Sequence, residues 1–296
     1  MDEFSDEQAV VFRSRRRDQC MELRLVLESA GIASQAVHQS REWLLLVAAS
    51  DEGTALNEFA AYRLDNPIAA AKSVSRIPLF RGAAIGSFLY AAIIGLIGAV
   101  SNQPESQPVW HAIGQTNAGQ ILSGQLWRTL TALTLHADAV HLFSNIGFGC
   151  VFGYLAGRIL GGGVAWLTIV LAGALGNFLN ALMRSAEHTS IGASTAVFAA
   201  LGVMVAHALH PRFQTQERLL KRWSPLIAGV LLLAFIGVGG ERTDVGAHVT
   251  GFLAGIVLGW IAARLPLHWL DSDRFQMTLG VLAVLLVAGS WMAAIA

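Results

Sequence analysis

The amino-acid sequence predicts an all-α polytopic membrane protein with a small α+β domain at its N-terminus. Three observations predict it. The 296 residues are 54% hydrophobic and only 14% charged, too apolar for an ordinary soluble domain. After Arg81 the chain runs through apolar segments long enough to cross a bilayer as helices. Much of the charge falls before residue 79, where the segments are short and mixed in character.

Residues 1–78 are expected to form the small domain. Val10 to Ala30 mixes apolar and charged residues and reads as a helix. The stretch around Ala36-Val37-His38 and the run Trp43-Leu44-Leu45-Leu46-Val47 read as strands, joined by a polar turn at Gln39-Ser40-Arg41-Glu42. Asp51 suits the N-cap of a helix through Leu64, closed by Asp65-Asn66-Pro67. This α-β-β-α unit of cytosolic type holds no catalytic constellation and reads as a folding or regulatory appendage. Met1–Glu7 is acidic and lacks an apolar core, which argues against a secretory signal or transit peptide. Cys20 and Cys150 lie in unlike settings, so neither a disulfide framework nor a metal site is expected. The formal net charge is zero, which gives no sign of a nucleic-acid partner.

Spans are expected at about 82–100, 141–160, 163–183, 191–209, 225–240, 245–263 and 276–296. Their orientation follows from the basic residues. With the N-terminus cytoplasmic, the inner segments hold Lys72, Arg76, Arg81, Arg158, Arg212, Arg218, Lys221, Arg222, Arg264 and Arg274. The outer side then holds only Arg128, Arg184 and Arg242. The C-terminus would lie outside. The long 101–140 segment would lie at the outer face, and its apolar content suggests a partly embedded element rather than a free loop.

In this arrangement spans two, four and six run inward from the outer face. His141, Ser194 and His248 stand at their starts, so residues remote in sequence fall at similar depth. Polar groups inside a membrane are costly and are functional candidates by default. A hydroxyl beside an imidazole suggests a nucleophile with its base. Small residues recur every four positions in both helices: Ala247, Gly251, Gly255, Gly259 and Ala263 on span six, Gly192, Ala196 and Ala200 on span four. Such seams let backbones approach closely and would bring Ser194 to His248.

These motifs resemble the rhomboid intramembrane serine proteases. Gly192-Ala193-Ser194-Thr195 is similar to the family's Gly-x-Ser-Gly motif. Ala247-His248-Val249-Thr250-Gly251 is similar to Ala-His-x-x-Gly. The run His136 to Asn145 is similar to His-x-x-x-x-His-x-x-x-Asn, and Trp127-Arg128 to the Trp-Arg pair of the first outer loop. The resemblance implies a six-helix rhomboid core over 79–264 and a seventh C-terminal span over 265–296. It implies that Ser194 attacks the scissile carbonyl and that His248 relays its proton, without a third acid. It implies an oxyanion hole of the Ser194 backbone N–H, Asn145 and His141, with Phe198 packed on the His248 ring and Gly192, Trp127 and Arg128 in support. Thr195 stands where the family has glycine, and its bulk is expected to crowd the substrate pocket. Phe198 replaces a frequent tyrosine but keeps the ring.

Bland readings cover the remaining polar residues. His136 is expected to be structural. His111, His188, His207, His210 and His268 read as loop or interfacial residues, and Asp244, Glu187 and Arg184 as a solvated loop. A metalloprotease would want His-Glu-x-x-His, and His136 and His141 are five apart with no glutamate between them. A transporter would show internal repeats or midplane polar sites, and none is evident. An inactive rhomboid relative that binds membrane clients would lack the serine or the histidine. The resemblance therefore implies an endopeptidase of the cell membrane acting on single-span membrane proteins in the lipid bilayer. It implies no metal or organic cofactor, and it leaves the oligomeric state open.

Overall fold

A computed structural model describes residues 8–39, 41–66, 79–210, 219–237 and 243–296. The expected features at Met1–Glu7, Ser40, Pro67, Lys72, Arg76, Arg212, Arg218, 238–240 and Arg242 lie outside these residues. Contacts divide the chain into two compact units, 1–76 and 77–296.

The first unit is built as β1 (Gln8–Ser14), α1 (Arg17–Ser29), β2 (Ser34–Gln39), β3 (Glu42–Ala48) and α2 (Glu52–Asp65). The sheet is antiparallel with order β1-β3-β2. β1 corrects the expected helix from Val10. The helical period of buried residues, Cys20, Leu23 and Leu27, begins only after Arg17. Upstream, Val10-Val11-Phe12 is β-branched and aromatic, and it pairs the free edge of β3. Both helices cover one sheet face, where Leu27, Leu45, Val47 and Phe59 form a small core. Asp51 occupies the N-cap position of α2 but makes no side-chain cap bond, because a 3₁₀ turn over Ala49–Asp51 leads into the helix.

The second unit begins with α3 (Ala83–Ser101). A structured segment follows: α4 (Gln107–Gly114), β4 (Thr116–Asn117), α5 (Ala118–Leu122) and α6 (Arg128–Thr131). Then come α7 (Ala139–Leu160), α8 (Gly162–Met183), β5 (Thr189–Ser190), α9 (Ser194–Leu209), α10 (Leu219–Gly237), α11 (Val245–Ala262), α12 (Leu267–Leu270) and α13 (Asp273–Ile295). Among the described residues α3, α7, α8, α10, α11 and α13 are long and apolar enough to cross a membrane. The chain is a multi-pass helical membrane protein.

The fourth expected span, α9, is shorter than the rest. Its 16 residues, twelve of them buried, are surrounded by α7, α8, α10 and α11. At 1.5 Å per residue it is about 24 Å long, against a hydrocarbon core of about 30 Å. Ser194, its first residue, can therefore sit below the membrane surface while still heading a complete helix. The fifth element runs Leu219–Gly237 with Pro225 inside it, earlier than the expected 225–240.

The α9–α11 contact is a backbone-level seam. A Cβ on Gly251 would lie 2.3 Å from the Thr195 carbonyl oxygen, and one on Gly255 would lie 2.1 Å from that of Ala199. One on Gly259 would lie 2.6 Å from the Val203 Cα. The expected stripe on span four was Gly192, Ala196 and Ala200. The stripe that meets α11 is instead Thr195, Ala199 and Val203, while Ala196 packs toward Gly173 of α8. The helix starts only at Ser194, and this phase turns Ala196 away from α11.

α13 is fixed to the bundle at both ends. Gln276 Nε2 donates to the Leu160 and Leu270 carbonyls, and its Oε1 accepts from Val164 N–H at 3.0 Å. At the other end the Trp291 indole N–H donates to Thr134 Oγ1 at 3.0 Å.

Candidate active site

Ser194 Oγ and His248 Nε2 are 2.8 Å apart. His248 Nδ1 lies 2.9 Å from the Gly237 carbonyl. A carbonyl oxygen only accepts, so Nδ1 carries the proton. That assigns Nε2 as the acceptor for the serine hydroxyl. The Phe198 ring lies on the imidazole with centroids 4.5 Å apart and planes tilted by 38°. The imidazole is thus held by a hydrogen bond on one nitrogen and a ring on its face. Gly237 was not foreseen as a partner; the glycine-rich end of the fifth span was the available signal.

The loop before Ser194 is held from several sides. Gly192 has φ +134, a conformation that disfavours any side chain. A Cβ there would also lie 2.7 Å from the His141 ring. Gly192 N–H donates to the Ala132 carbonyl at 2.9 Å. β4 and β5 form a short antiparallel ladder, with Thr116 Oγ1 bonded to Ser190, which ties the loop to the 101–140 segment. Ala193 N–H points at His136 Nε2 at 3.5 Å. His136 is fully buried, and burial, with the neighbouring His141, pushes its pKa down to about 4. It is therefore neutral near pH 7 and able to accept this bond.

His141 and Asn145 stand one turn apart on α7. Asp138 caps this helix by accepting from His141 N–H at 2.8 Å. Asn145 is buried, and one amide hydrogen goes to the His141 carbonyl at 3.0 Å. The Tyr90 hydroxyl donates to the Asn145 carbonyl at 2.8 Å, binding α3 to α7 at this level. His141, Asn145, Gly192, Ser194, Phe198 and His248 all line one cavity of about 1360 Å³. Polar groups such as Asp138, Ser144 and Arg184 share its walls, so water can occupy it.

Trp127 and Arg128 lie outside this cavity. Arg128 is buried and donates to Gln125 Oε1 and to the Gln115 and Ala112 carbonyls at 2.7–3.0 Å. It ties together the segment that β4 belongs to. Thr195 is also placed differently from expectation. It is 3% exposed, and its methyl faces Gly176 and Gly251, where those glycines leave room between α8 and α11. Its methyl fills a helix contact, while the residue itself still lines the cavity beside Ser194.

Asp244 is not a solvated loop carboxylate, whereas Arg184 is exposed as expected but pairs with it. The Asp244 side chain is 10% exposed and caps α11 through Ala247 N–H. It also accepts from Asn180 Nδ2, Arg184 and His188 Nε2 at 2.7–2.8 Å. Burial alone would raise this carboxyl, but His188, the Ala247 N–H and Arg184 outweigh it and hold the pKa at about 2. No motif marks this cluster, in which Asp244 stands some sixty residues from its three partners. His111 lies on α4 and His207 in the last turn of α9. Among the described residues no three His, Cys, Asp or Glu side chains are grouped as a metal site needs, and Cys20 and Cys150 are free thiols.

Fold and site define a multi-pass helical membrane protein with a hydroxyl–imidazole pair recessed at one end of its bundle. Residues 123–265 match the Rhomboid domain family. Rhomboid-like protease 3 of Toxoplasma gondii is 31% identical over 166 residues, 56% of this chain and 62% of that protein. RHOMBOID-like protein 7 of Arabidopsis thaliana is 34% identical over 170 residues, 53% and 50% of the two chains. RHOMBOID-like protein 6, mitochondrial, of the same plant is 30% identical over 172 residues, 58% and 55% of the two. The chain belongs to the rhomboid family. It spans about half to three fifths of the length of these relatives.

Proposed function

We propose that this chain is an intramembrane serine endopeptidase with Ser194 as nucleophile and His248 as general base and acid. The observation that carries the reading is the 2.8 Å Ser194–His248 contact with Nδ1 bound to the Gly237 carbonyl. Ser194 Oγ attacks a substrate carbonyl as its proton passes to Nε2. Nε2 then gives the proton to the leaving amine, and the acyl-enzyme forms. Water repeats the sequence: Nε2 takes its proton, the ester breaks, and Ser194 recovers its hydrogen. The oxyanion of each tetrahedral intermediate is held by the Ser194 backbone N–H, the second Asn145 amide hydrogen and the His141 ring. One such donor is worth about 3–4 kcal/mol in known cases. Asp244 takes no proton, since the partner of Nδ1 is a carbonyl.

In this reading the rhomboid core covers 79–264, the seventh span 265–296, and the cytosolic appendage 1–78. The bias of basic residues supports a cytoplasmic N-terminus in the cell membrane, with the site open to the outer side. The substrates are single-span membrane proteins. The test is to label the full chain with a fluorophosphonate probe and to assay cleavage of tagged single-span substrates. Labelling should map to Ser194. Ser194→Ala and His248→Ala should each abolish cleavage, with the double variant little worse than either, because the two act as a unit. A folded His248→Ala variant that still cleaves would remove the assignment. An unlabelled, uncleaving wild type would leave a client-binding relative instead.

A further inference from the structure

A second cavity, of about 850 Å³, lies away from the serine–histidine site. α3 and α13 both rest on α8, and the cavity runs between them. Its walls are Ile85 and Leu89 of α3 and Val281 and Val284 of α13, with Trp166 of α8 behind. Along α13 the lined stretch runs from Asp273 to Val287, about 20 Å at 1.5 Å per residue. That exceeds the hydrocarbon depth of one leaflet, about 15 Å as half of the ~30 Å core. The far end reaches Ala193 and Ala196, behind the start of α9.

The mouth carries charges of both signs. Arg81 precedes α3, and Asp271 and Asp273 stand at the start of α13; all three are exposed and line the cavity. None of them forms an ion pair with another, so their charges remain available to an occupant. They lie at the bundle end opposite Ser194 and His248, where α3, α8 and α13 begin.

We propose that this cavity holds a phospholipid with an ethanolamine head, its acyl chains between α3 and α13. The phosphate pairs with Arg81 and the primary ammonium with Asp271 and Asp273. The sign pattern selects this head: an anionic glycerol head would meet two carboxylates without a cation of its own. A choline head carries the cation but has no N–H to donate to them.

The test uses the full chain purified in detergent and stripped of lipid, so it does not depend on proteolytic activity. Phosphatidylethanolamine, phosphatidylcholine and phosphatidylglycerol with matched acyl chains are titrated in, and bound lipid is counted by native mass spectrometry. One phosphatidylethanolamine should bind per chain, at least tenfold tighter than the other two. Asp271→Asn/Asp273→Asn, at exposed positions that leave folding intact, should reduce the preference over choline to less than threefold. Val284→Trp, which fills the cavity from its open side, should remove binding of all three lipids while thermal unfolding stays cooperative. Equal affinity for ethanolamine and choline heads would overturn the proposal, as would binding indifferent to Val284→Trp. So would a photo-crosslinker at Val284 that captures a peptide substrate in place of lipid.

Discussion

Thr195 turns its methyl onto Gly176 and Gly251 while lining the cavity next to Ser194. The sequence marks it as a β-branched side chain next to the nucleophile, and from that position alone crowding of the pocket is the natural expectation. Its direction depends on helix phase, which turns the methyl onto Gly176 and Gly251. The residue that lacks a side chain is then not 195 but its partners across the seam. Thr195→Gly should leave the residue preference at the cleavage site unchanged. It should lower thermal stability by about 1–2 kcal/mol, from the lost packing and the added backbone freedom. Cleavage profiling beside a detergent melting curve separates the two outcomes; a broadened preference with unchanged melting would restore the crowding account. That Ser194, His248, His141 and Asn145 share one cavity was legible from their places at or one turn below the starts of spans two, four and six. The Gly237 carbonyl was not, since a backbone acceptor leaves no mark in residue type.

At the scale of elements, two devices hold α11 in place, and they differ in kind. The first is the glycine seam against α9. A side chain on Gly255 would drive into the Ala199 carbonyl, which cannot rotate away. Gly255→Val should therefore cost about 1–3 kcal/mol by overpacking and reduce cleavage, although residue 255 lines neither cavity. Full activity with an unchanged melting temperature would count against the seam as the setter of the Ser194–His248 distance. The small-residue stripe on α11 was legible from its four-residue spacing. The matching face of α9 was not, because its phase depends on where the helix begins.

The second device is the Asp244 cap, four residues before His248. Asp244→Asn keeps a cap acceptor and leaves Nδ1 on Gly237, so turnover should fall by less than about tenfold, or 1.4 kcal/mol. Stability should fall more, since the bonds from Arg184 and His188 lose their charged acceptor. The pH dependence has a defined sign. With the folded pKa depressed to about 2 from an ordinary 3.8, the stabilisation is complete above pH 3.8 and is lost as pH falls through 2. It is on the order of 2 kcal/mol. Acid unfolding of wild type and Asp244→Asn should therefore converge toward pH 2. A gap that stayed constant over that range would show that the carboxylate charge is not what stabilises α11. No single-residue reading finds this cluster, because its parts come from α8, the following loop and the start of α11.

At the scale of the molecule, the proposed function poses the problem of access to a helical substrate. The span count, the C-terminal helix and the N-terminal polar unit were legible from hydropathy. The shortness of α9 was not read, because the apolar run continues through Ile191-Gly192-Ala193 before the helix starts. That shortness lets Ser194 sit within the thickness of a membrane, in a cavity with polar walls that suit water. A peptide bond in a regular helix is shielded, since its carbonyl and N–H are already paired within the helix. The segment to be cut must unwind to reach Ser194. Glycine or proline in that half of the substrate span lowers the cost of unwinding by roughly 1 and 3 kcal/mol per site relative to alanine. Replacing such residues with leucine should slow cleavage by about fivefold per glycine and about a hundredfold per proline without changing insertion, since 1.4 kcal/mol is tenfold in rate. The cut should map to the half of the substrate span nearest Ser194, at a small residue that fits beside Gly192 and His141. Fragment masses locate the bond, and a rate series over graded helix stability tests the energetics. Cuts in the opposite half of the span, or rates indifferent to helix propensity, would mean that substrates reach the site already extended and that unwinding sets no barrier.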